Sequence, residues 1–364
     1  MTASPTRTPP ASGPLERLRL RPELEVLWRS TGELQLGSDP RTAVRLEGLA
    51  PHETRWLSTT GDKPLLASAA RAGVDRARAR DLVAALERAG VTSRPRRSAP
   101  VTAPGAGAGD APALGAVHAR PGHEVLERRA ERSVLVAGTG RTGAGVAQAL
   151  AAAGVGTLLL HDARPVLGTD VGVGGLVLAD VGRRRDAAVA AHVAASSPAT
   201  AVRTGADATS GDPDLVVLVS HRAPDVARAT RLVGAGTDHL AVVIEEAGAV
   251  VGPLVVPGRG PCLRCVDLHH RDADSRWPTM AVQLRQRYEG AAAPEETVTA
   301  TTAAALAAGQ VLAHLDGLPT TALAASLEVR LPAAVPRIRR WHPHPRCGCH
   351  SLEMELEPAP VPPA

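Results

Sequence analysis

The chain has 364 residues, which is enough for two domains that each bury a core. Phenylalanine is absent and tyrosine occurs once, so aliphatic side chains must build those cores, and the aromatic platforms on which single-stranded nucleic acids stack are not expected. The formal net charge is +4. The only lysine is Lys63, and the abundance of Ala, Gly, Pro and Arg indicates a GC-rich coding bias, so we predict no nucleic-acid partner.

Membrane and secretory segments are not expected. No run approaches the roughly 18 consecutive apolar residues that a membrane span requires. Residues 1–14 lack the apolar centre of a signal peptide. We therefore predict a cytoplasmic protein with no membrane partner, in a reducing compartment where cysteines favour metal binding over disulfides.

The first part of the chain predicts a small domain in which strands precede helices. Residues 1–14 are rich in Pro, Ser and Thr and are predicted to be disordered. Alternating apolar residues and helical periodicity then predict a winged-helix-like domain over residues 15–94. Its predicted elements are strands at residues 24–28, 34–36 and 44–46 and helices at 51–58, 64–72 and 75–89. A linker rich in Pro, Ala and Gly is predicted at 95–121, and a disordered tail at 351–364.

The second domain, predicted at residues 122–350, is organised around Ser133–Asp162. A short apolar strand stops at a glycine-rich turn, and Gly138, Gly140 and Gly143 occupy the three glycine positions of the dinucleotide fingerprint. The helix that follows directs its N-terminus at the turn and favours a phosphate there. Asp162, just past the next strand, lies where an acid binds a ribose hydroxyl. The pattern predicts a Rossmann-like α/β domain with a nucleotide site.

Further elements of this domain follow from composition. Residues 164–182 are rich in Gly and Asp and are predicted to form a loop over the site, and an Ala-rich helix with small residues for close packing is predicted at 298–315. The other predicted elements are a helix at 183–195 and strands at 214–219, 240–245 and 323–331. The strand at 214–219 ends at Ser220 and His221, near the expected ligand crevice.

Two cysteine pairs predict a metal site. Cys262 and Cys265 form a Cys-x-x-Cys, and Cys347 and Cys349 form a Cys-x-Cys far along the chain. Two such pairs make the closed four-sulfur tetrahedron of a structural zinc site. Four free buried thiols are the alternative. Three histidines lie close enough in sequence to replace one thiolate: His342, His344 and His350.

Residues 49–91 resemble the PqqD-like fold with which peptide-maturation enzymes bind a precursor's leader peptide. This resemblance implies a peptide groove, with the hairpin that carries Leu34 and Leu36 as a free sheet edge and the helix that carries Leu82 and Leu86 as the other wall. Both of these latter leucines are expected to turn inward. A packing module without a ligand is one alternative, and a DNA-binding helix that presents Arg76 and Arg80 is another.

From about Glu124 to His350 the chain resembles the ThiF family, the fold of ubiquitin-activating enzymes and of the adenylyltransferases of thiamine and molybdopterin synthesis. The resemblance rests on the sequence GTGRTG, on Asp162 and on the two cysteine pairs. With the N-terminal domain in front, the layout is similar to the ThiF-like leader-peptide-binding proteins that accompany azole-forming cyclodehydratases. It implies a structural zinc ion, ATP with Mg²⁺ as possible cofactors, and a homodimer.

The chemistry that this family implies is ATP-dependent adenylylation of a carboxylate by an Asn, an Arg, a Lys and an Asp. The chain departs from that set, because it contains no asparagine and its one lysine is Lys63 in the other domain. Ser220 and His221 stand where the aspartate is expected. Arg183 and Arg185 are candidates for the place of the lysine, and Arg141 and Arg164 are candidates for contacts to phosphate.

Three functions remain from the sequence. The first is a peptide-binding partner of a separate cyclodehydratase, with an eroded adenylylation site and no assigned catalytic residue. The second is an active adenylyltransferase in which arginines replace the missing lysine. The third, a nicotinamide-dependent oxidoreductase, rests only on the glycine turn and Asp162.

Overall fold

A computed structural model describes residues 15–22, 24–39, 43–94, 109–118, 120–288 and 294–349. The chain divides into two compact units between Leu126 and Glu127. Predictions of disorder at residues 1–14 and 351–364, and any role of His350, lie outside the described residues.

The first unit contains a three-stranded antiparallel sheet followed by three helices. Its strands are Val26–Ser30 (β2), Glu33–Leu36 (β3) and Val44–Leu46 (β4), and its helices are Pro51–Thr59 (α1), Leu65–Arg71 (α2) and Arg76–Arg88 (α3). A two-stranded pairing joins Arg19–Leu20 (β1) to Thr92–Ser93 (β5). The strand-then-helix order matches the predicted order, and the winged-helix interpretation of this unit stays a prediction.

The helices of the first unit begin where side chains satisfy their free N–H groups. The Asp75 carboxylate accepts the N–H groups of Ala77 and Arg78 at the start of α3. At the start of α1, the Glu53 carboxylate accepts the N–H of Ala50 at 2.8 Å and also pairs with Arg78 at 2.8 Å. These contacts fix α1 against α3 over a core of leucines and Trp56.

The placement of Leu34 and Leu36 on a free sheet edge is wrong. The strand order is β2–β3–β4, so β3 is the middle strand and its backbone groups pair on both sides. Both leucine side chains are buried in the core of the unit, as are Leu82 and Leu86 on α3. Of the described strands in this sheet, β2 and β4 are the edges.

The predicted linker is partly helical. Ala111–His118 forms a helix (α4), whereas residues 95–108 of the same segment lie outside the described residues. The residues of α4 include three alanines, which favour a helix over an extended linker. The helix Gly122–Ala130 (α5) follows and contains the boundary between the units.

The second unit is built on an eight-stranded sheet, which confirms the predicted α/β class. The strand order is β13–β12–β11–β10–β9–β6–β7–β8, in which β8, β7, β6, β9 and β10 are parallel and the remaining three are antiparallel. The strands are Ser133–Ala137 (β6), Thr157–His161 (β7), Ala201–Thr204 (β8), Leu215–His221 (β9), His239–Ile244 (β10), Gly248–Val255 (β11), Ala325–Arg330 (β12) and Arg337–Arg340 (β13). The chain leaves β6 towards one side and returns at β9 on the other, so the ligand crevice of this topology lies at the carboxyl ends of β6 and β9.

Helices cover both faces of the sheet. They are Arg141–Ala152 (α6), Arg185–Ser196 (α7), Ala206–Thr209 (α8), Val226–Gly234 (α9), Leu263–Ala273 (α10), Trp277–Tyr288 (α11) and Thr297–Leu315 (α12). The main core gathers apolar side chains of the strands, α6, α7 and α12 on one face. A smaller core with side chains of α8, α9 and α10 lies on the other.

The packing of α12 on α6 positions the site described below. A Cβ placed on Gly145 of α6 would lie 2.9 Å from the Cβ of Ala304 on α12, so the glycine permits the two helices to approach closely. Among the described residues, α12 is the one helix long and apolar enough to cross a membrane by length and composition. Here its alanine face is buried in the core of the unit.

Candidate nucleotide and metal sites

The glycine turn between β6 and α6 has the backbone geometry of a phosphate-binding turn. Gly138 has a φ of +91°, and a Cβ there would lie 2.7 Å from the carbonyl oxygen of Val219. A Cβ on Gly143 would lie 1.8 Å from the carbonyl oxygen of Gly138. Side chains are therefore excluded at both positions, which is the physical reason for two of the three predicted glycines.

Asp162 lies just past β7 and is held by the chain itself. Its buried carboxylate accepts the N–H of Thr139 in the glycine turn at 3.1 Å and pairs with the guanidinium of Arg164 through two bonds of 2.8 Å. Burial alone would raise the pKa of Asp162, but the bonds and charge of Arg164, with the charge of Arg185, hold that pKa below its ordinary value. The oxygens that would bind a ribose are thus engaged with two arginines and the turn.

Arg185 is a buried side chain at the start of α7. Its guanidinium makes two bonds of 2.8 Å to the carboxylate of Asp170 and lies 3.5 Å from Asp162. Asp170 belongs to the segment 164–182, which contains two single turns of 3₁₀ helix rather than an unstructured loop. Arg185 is therefore a member of an internal ion-pair network beside the glycine turn.

Glu295, which the sequence analysis did not single out, occupies the N-terminus of α6. Its carboxylate accepts the N–H of Thr142 at 2.9 Å and the Thr142 hydroxyl at 2.5 Å, and its other oxygen lies 2.7 Å from Nε2 of His221. Burial would raise the pKa of Glu295, but the bond and charge of His221, with the bonds from Thr142, lower it, so the carboxylate is ionised. A helix N-terminus favours an anion, and here the anion is part of the chain.

Side chains of the chain occupy the space next to Gly140, in front of the glycine turn. A Cβ on this residue would lie 3.3 Å from Oδ1 of Asp170, 3.7 Å from Oε1 of Glu295 and 3.8 Å from Cζ of Arg185. A nucleotide phosphate approaches the turn at this glycine. A phosphate at this position would meet both carboxylates, of which Asp170 is paired with Arg185 and Glu295 with His221.

Many of the polar groups that a bound ATP with Mg²⁺ would contact are engaged within the chain. The N–H groups of Thr139 and Thr142 already donate to carboxylates, and Asp162, Asp170 and Glu295 are all engaged in ion pairs or hydrogen bonds of the chain. Arg141, proposed as a phosphate contact, donates to the carbonyl oxygens of Val171 and Glu295. These groups are therefore used within the chain, whereas the Thr139 hydroxyl and Nε of Arg141 are buried without a hydrogen-bond partner among the described residues.

Arg183 on one side, and Ser220 and His221 at the end of β9, are further residues expected near the site. The contacts of Arg183 are to Asp180, at 2.8 Å, and its side chain is half exposed, so it does not stand with Arg185 beside the turn. The strand β9 extends through Ser220 and His221, where the family aspartate is expected. His221 turns to Glu295.

An open cavity of about 470 Å³ lies at the carboxyl ends of β6, β7 and β9. Gly138, Asp162, Arg164, Val219 and Arg228 are among the residues that line it. This is the crevice at which Rossmann-like folds bind ligands. The cavity is therefore the candidate place for the nucleoside part of a ligand.

The four cysteines come together at the N-terminus of α10. Their sulfurs lie within 4.8 Å of one another, with 3.5 Å between Cys262 and Cys347, 3.4 Å between Cys265 and Cys349, and 3.9 Å between Cys262 and Cys265. A zinc tetrahedron with Zn–S bonds of about 2.3 Å has edges of about 3.8 Å. Within the described residues this cluster is the one group of Cys, His, Asp or Glu side chains with metal-site geometry.

Neighbouring histidines support the site without joining it. His344 is buried, its Nε2 lies 2.8 Å from Asp272, and its Nδ1 accepts the N–H of Arg346. The carbonyl oxygen of His342 lies 2.9 Å from Nε2 of His269. Because both ring nitrogens of His344 are engaged, it does not replace a thiolate. Hydrogen bonds among the thiols raise the pKa of Cys262 and lower that of Cys265 to about 4.

Comparisons with known proteins agree with this fold. The model of the ThiF family matches residues 116–349. No curated protein matches the chain. E. coli MccB solved with ATP is 15% identical, with 91% of this chain and 99% of that chain covered and a TM-score of 0.67.

Two further solved structures have the same fold. MccB, described as a microcin C7 biosynthetic enzyme in complex with N-formylated MccA, is 15% identical, with 92% of this chain and 99% of that chain covered and a TM-score of 0.67. PaaA is 14% identical, with 88% of this chain and 99% of that chain covered and a TM-score of 0.69. Identities this low establish a shared fold and leave the chemistry to the residues of each site.

Proposed function

The chain belongs to the ThiF family, and we propose that it has kept the family's fold while giving up adenylylation, so that it acts as a leader-peptide-binding partner in the maturation of a ribosomal peptide. A separate enzyme of the cyclodehydratase type then carries out azoline or azole formation. MccB, a microcin biosynthetic enzyme, was solved in complex with N-formylated MccA, and this supports a peptide as the partner. The proposal also includes a homodimer in the cytoplasm.

One observation carries the loss of adenylylation. The approach to Gly140 is filled by Asp170 and Glu295, and the N–H of Thr142 at the start of α6 donates to Glu295. Displacing a buried carboxylate that holds two hydrogen bonds and an ion pair costs several kcal/mol, which any bound phosphate would have to offset. The absence of asparagine, and of lysine from the second unit, points the same way.

The strand edge proposed to bind the peptide lies in the first unit and is that of β2 rather than β3. Among the described strands, β2 pairs only with β3, so one side of its backbone is free to add a peptide strand. Trp28 on β2 is 68% exposed, although tryptophan is among the largest apolar side chains. An exposed tryptophan beside free backbone groups suits an anchor for an apolar side chain of a peptide.

In this proposal the cysteine cluster holds a structural zinc ion. Four protein thiolates leave no open position for a substrate, so the metal supplies folding energy and no reaction step. The cluster joins the start of α10 to residues 347–349 near the described end of the chain. It therefore fixes the C-terminal segment against the sheet.

The test combines a binding and a turnover measurement on the full chain. The leader peptide encoded nearest to its gene is titrated by calorimetry, and we expect a Kd of about 1 μM, or about 8 kcal/mol. Replacing Trp28 with serine should weaken this binding at least about tenfold, whereas serine at Ile338, an exposed apolar residue of β13, should not. Pyrophosphate exchange into ATP should stay at background with the peptide present.

Two outcomes contradict the proposal. Robust pyrophosphate exchange that is lost in Arg185→Ala would favour the second candidate function, an active adenylyltransferase with an arginine in the place of the lysine. Leader binding that is unchanged by Trp28→Ser, or absent, would reject the peptide edge on β2.

A further inference from the structure

A groove between α1 and α2 in the first unit is lined by cations and by no acid. Its volume is about 430 Å³, and its polar and charged lining consists of His52, Arg55, Thr59, Thr60, Lys63, Ser68 and Arg71. His52 and Arg55 stand one turn apart on α1, Lys63 lies in the connection, and Arg71 ends α2. Positive groups therefore face the groove from three successive segments of the chain.

The floor of the groove is rigid. The indole N–H of Trp56 donates to the Ser68 hydroxyl at 2.9 Å, and the Thr60 and Ser68 hydroxyls are 2.7 Å apart. The Ser68 hydroxyl also donates to the carbonyl oxygen of Leu65 at 2.8 Å. Trp56, Thr60 and Ser68 are all buried, so the network ties α1 to α2 and holds the groove open.

The acidic residues next to the groove in sequence do not neutralise it. The Glu53 carboxylate is buried and paired with Arg78, and Asp62 lies 3.9 Å from Arg19. Within the described part of the chain, no ion pair involves Arg55, Lys63 or Arg71. Three exposed permanent charges that make no ion pair with the described residues favour an anionic ligand.

We propose that this groove binds an acidic segment of the peptide partner, resting here on the peptide-binding function proposed above. The charge is complementary to a run of Glu or Asp, and no lining residue of the groove belongs to β2, so the groove is separate from the proposed peptide edge. A nucleic acid fits less well, because stacking needs exposed aromatic rings and Trp56, the aromatic residue of the groove, is buried.

The single lysine makes the proposal testable by zero-length cross-linking. The full chain is mixed with a fluorescein-labelled dodecapeptide of alternating Glu and Ser, and a carbodiimide is added. The Lys63 amine and a peptide carboxyl then form an amide, and the carbodiimide takes up the released water as it becomes a urea. Peptide mapping should place the cross-link at Lys63, and Lys63→Arg should abolish that cross-link, because a guanidinium keeps the charge but does not form the amide.

Affinity measurements complete the test. Binding of the Glu/Ser peptide should weaken about tenfold in the double variant Arg55→Ala/Arg71→Ala and should fall as salt is raised. The matched control is Arg76→Ala/Arg80→Ala, which removes two exposed arginines of α3 outside the groove and should change affinity less than twofold. A Gln/Ser peptide of the same length should not bind.

Several results would overturn the proposal: equal binding of the Gln/Ser peptide, equal loss in the control variant, no cross-link at Lys63, or tighter binding of a 20-base-pair DNA duplex. The outcome is separable from that of the proposed function. If the Glu/Ser peptide binds in the groove but no leader binds the chain, the proposed function fails and the groove stands. If the leader binds through Trp28 but the acidic peptide does not, only the groove fails.

Discussion

The Glu295 carboxylate accepts two hydrogen bonds from Thr142, one from its backbone N–H at 2.9 Å and one from its hydroxyl at 2.5 Å. Thr142 lies in the first turn of the helix that would hold a phosphate, and Glu295 lies immediately before the capped start of α12. The packing of α12 on α6 thus delivers a negative charge to the positive end of another helix. This relationship leads to the first prediction.

Replacing Glu295 with alanine should open the anion site. The N–H of Thr142 loses its partner and His221 loses its acid, so we expect the free energy of unfolding to fall by about 1–3 kcal/mol. ATP and inorganic triphosphate should then bind at least about tenfold more tightly than to the wild type, a gain of about 1.4 kcal/mol. Calorimetric titration and thermal unfolding with and without triphosphate measure both effects.

The control for this prediction is Glu296→Ala. Glu296 is the exposed neighbour whose carboxylate caps α12 through the N–H groups of Val298 and Thr299, so its loss should weaken the start of α12 without a gain in triphosphate binding. If the wild type already binds ATP as tightly as Glu295→Ala does, the site is not closed by this carboxylate.

The cysteine cluster should hold one zinc ion per chain. Serine at Cys265, the most buried of the four, should abolish metal binding and destabilise the second unit severely, because structural zinc sites in peptides contribute of the order of 10 kcal/mol. Metal analysis of the purified protein and thermal unfolding with a chelator measure this. Alanine at the exposed His342 is the control and should leave the zinc content unchanged; purified protein with well under one zinc per chain would reject the site.

A buried ion pair joins α5 to the end of α12. Arg129 makes bonds of 3.0 and 2.6 Å to Asp316 and also donates to the carbonyl oxygen of Ala153, with both charged side chains almost fully buried. Arg129→Ala leaves a buried charge with fewer partners, so we expect a loss of about 3–5 kcal/mol in urea unfolding.

The comparison for Arg129 is the exposed pair of Arg132 with Asp214, which has the same two residue types at 2.9 Å. Solvent screens this pair, so Arg132→Ala should cost about 1 kcal/mol or less. Similar losses in the two variants would show that burial of the first pair does not matter to stability.

The sequence predicted the elements that have strong local signals. Apolar runs located β6, β7, β9 and β10, and the sequence GTGRTG located the turn between β6 and α6. The family resemblance is confirmed by the match over residues 116–349. The strand β11, which contains a glycine and a proline within its apolar run, was not predicted, because these residues interrupt the strand pattern.

The contact of Glu295 with the turn had no local signal in the sequence. Glu295 and Thr142 are 153 positions apart, and only the packing of α12 on α6 brings them together. Leu34 and Leu36 show the same limit, since alternation identifies a strand but does not tell a middle strand from an edge. Arg183 and Arg185 look equivalent in the sequence, yet one pairs with Asp180 and the other with Asp170.

The last prediction concerns pH and the pair of Asp162 with Arg164. The folded state holds the pKa of Asp162 below its ordinary value of 3.8, against the effect of burial, through the bonds and charge of Arg164. A lowered pKa means that the ionised carboxylate stabilises the fold above pH of about 4 and that this contribution is lost as the pH falls through the folded pKa. In Arg164→Ala the Asp162 carboxylate is still buried but has lost the partner that lowers its pKa, so its folded pKa should rise. The variant should therefore lose stability relative to the wild type as the pH rises.

We therefore expect the difference in unfolding free energy between wild type and Arg164→Ala to be about 1–2 kcal/mol at pH 7 and to become smaller as the pH falls below about 4. This value is small for a buried carboxylate because the Arg164 side chain is 36% exposed and solvent screens it. Urea unfolding between pH 3 and pH 7 measures the difference. Arg164→Lys should retain part of it, and alanine at Arg203, an exposed arginine on β8, should give a difference that does not vary with pH. A gap between wild type and Arg164→Ala that stays constant from pH 3 to pH 7 would show that Asp162 is not held ionised by Arg164.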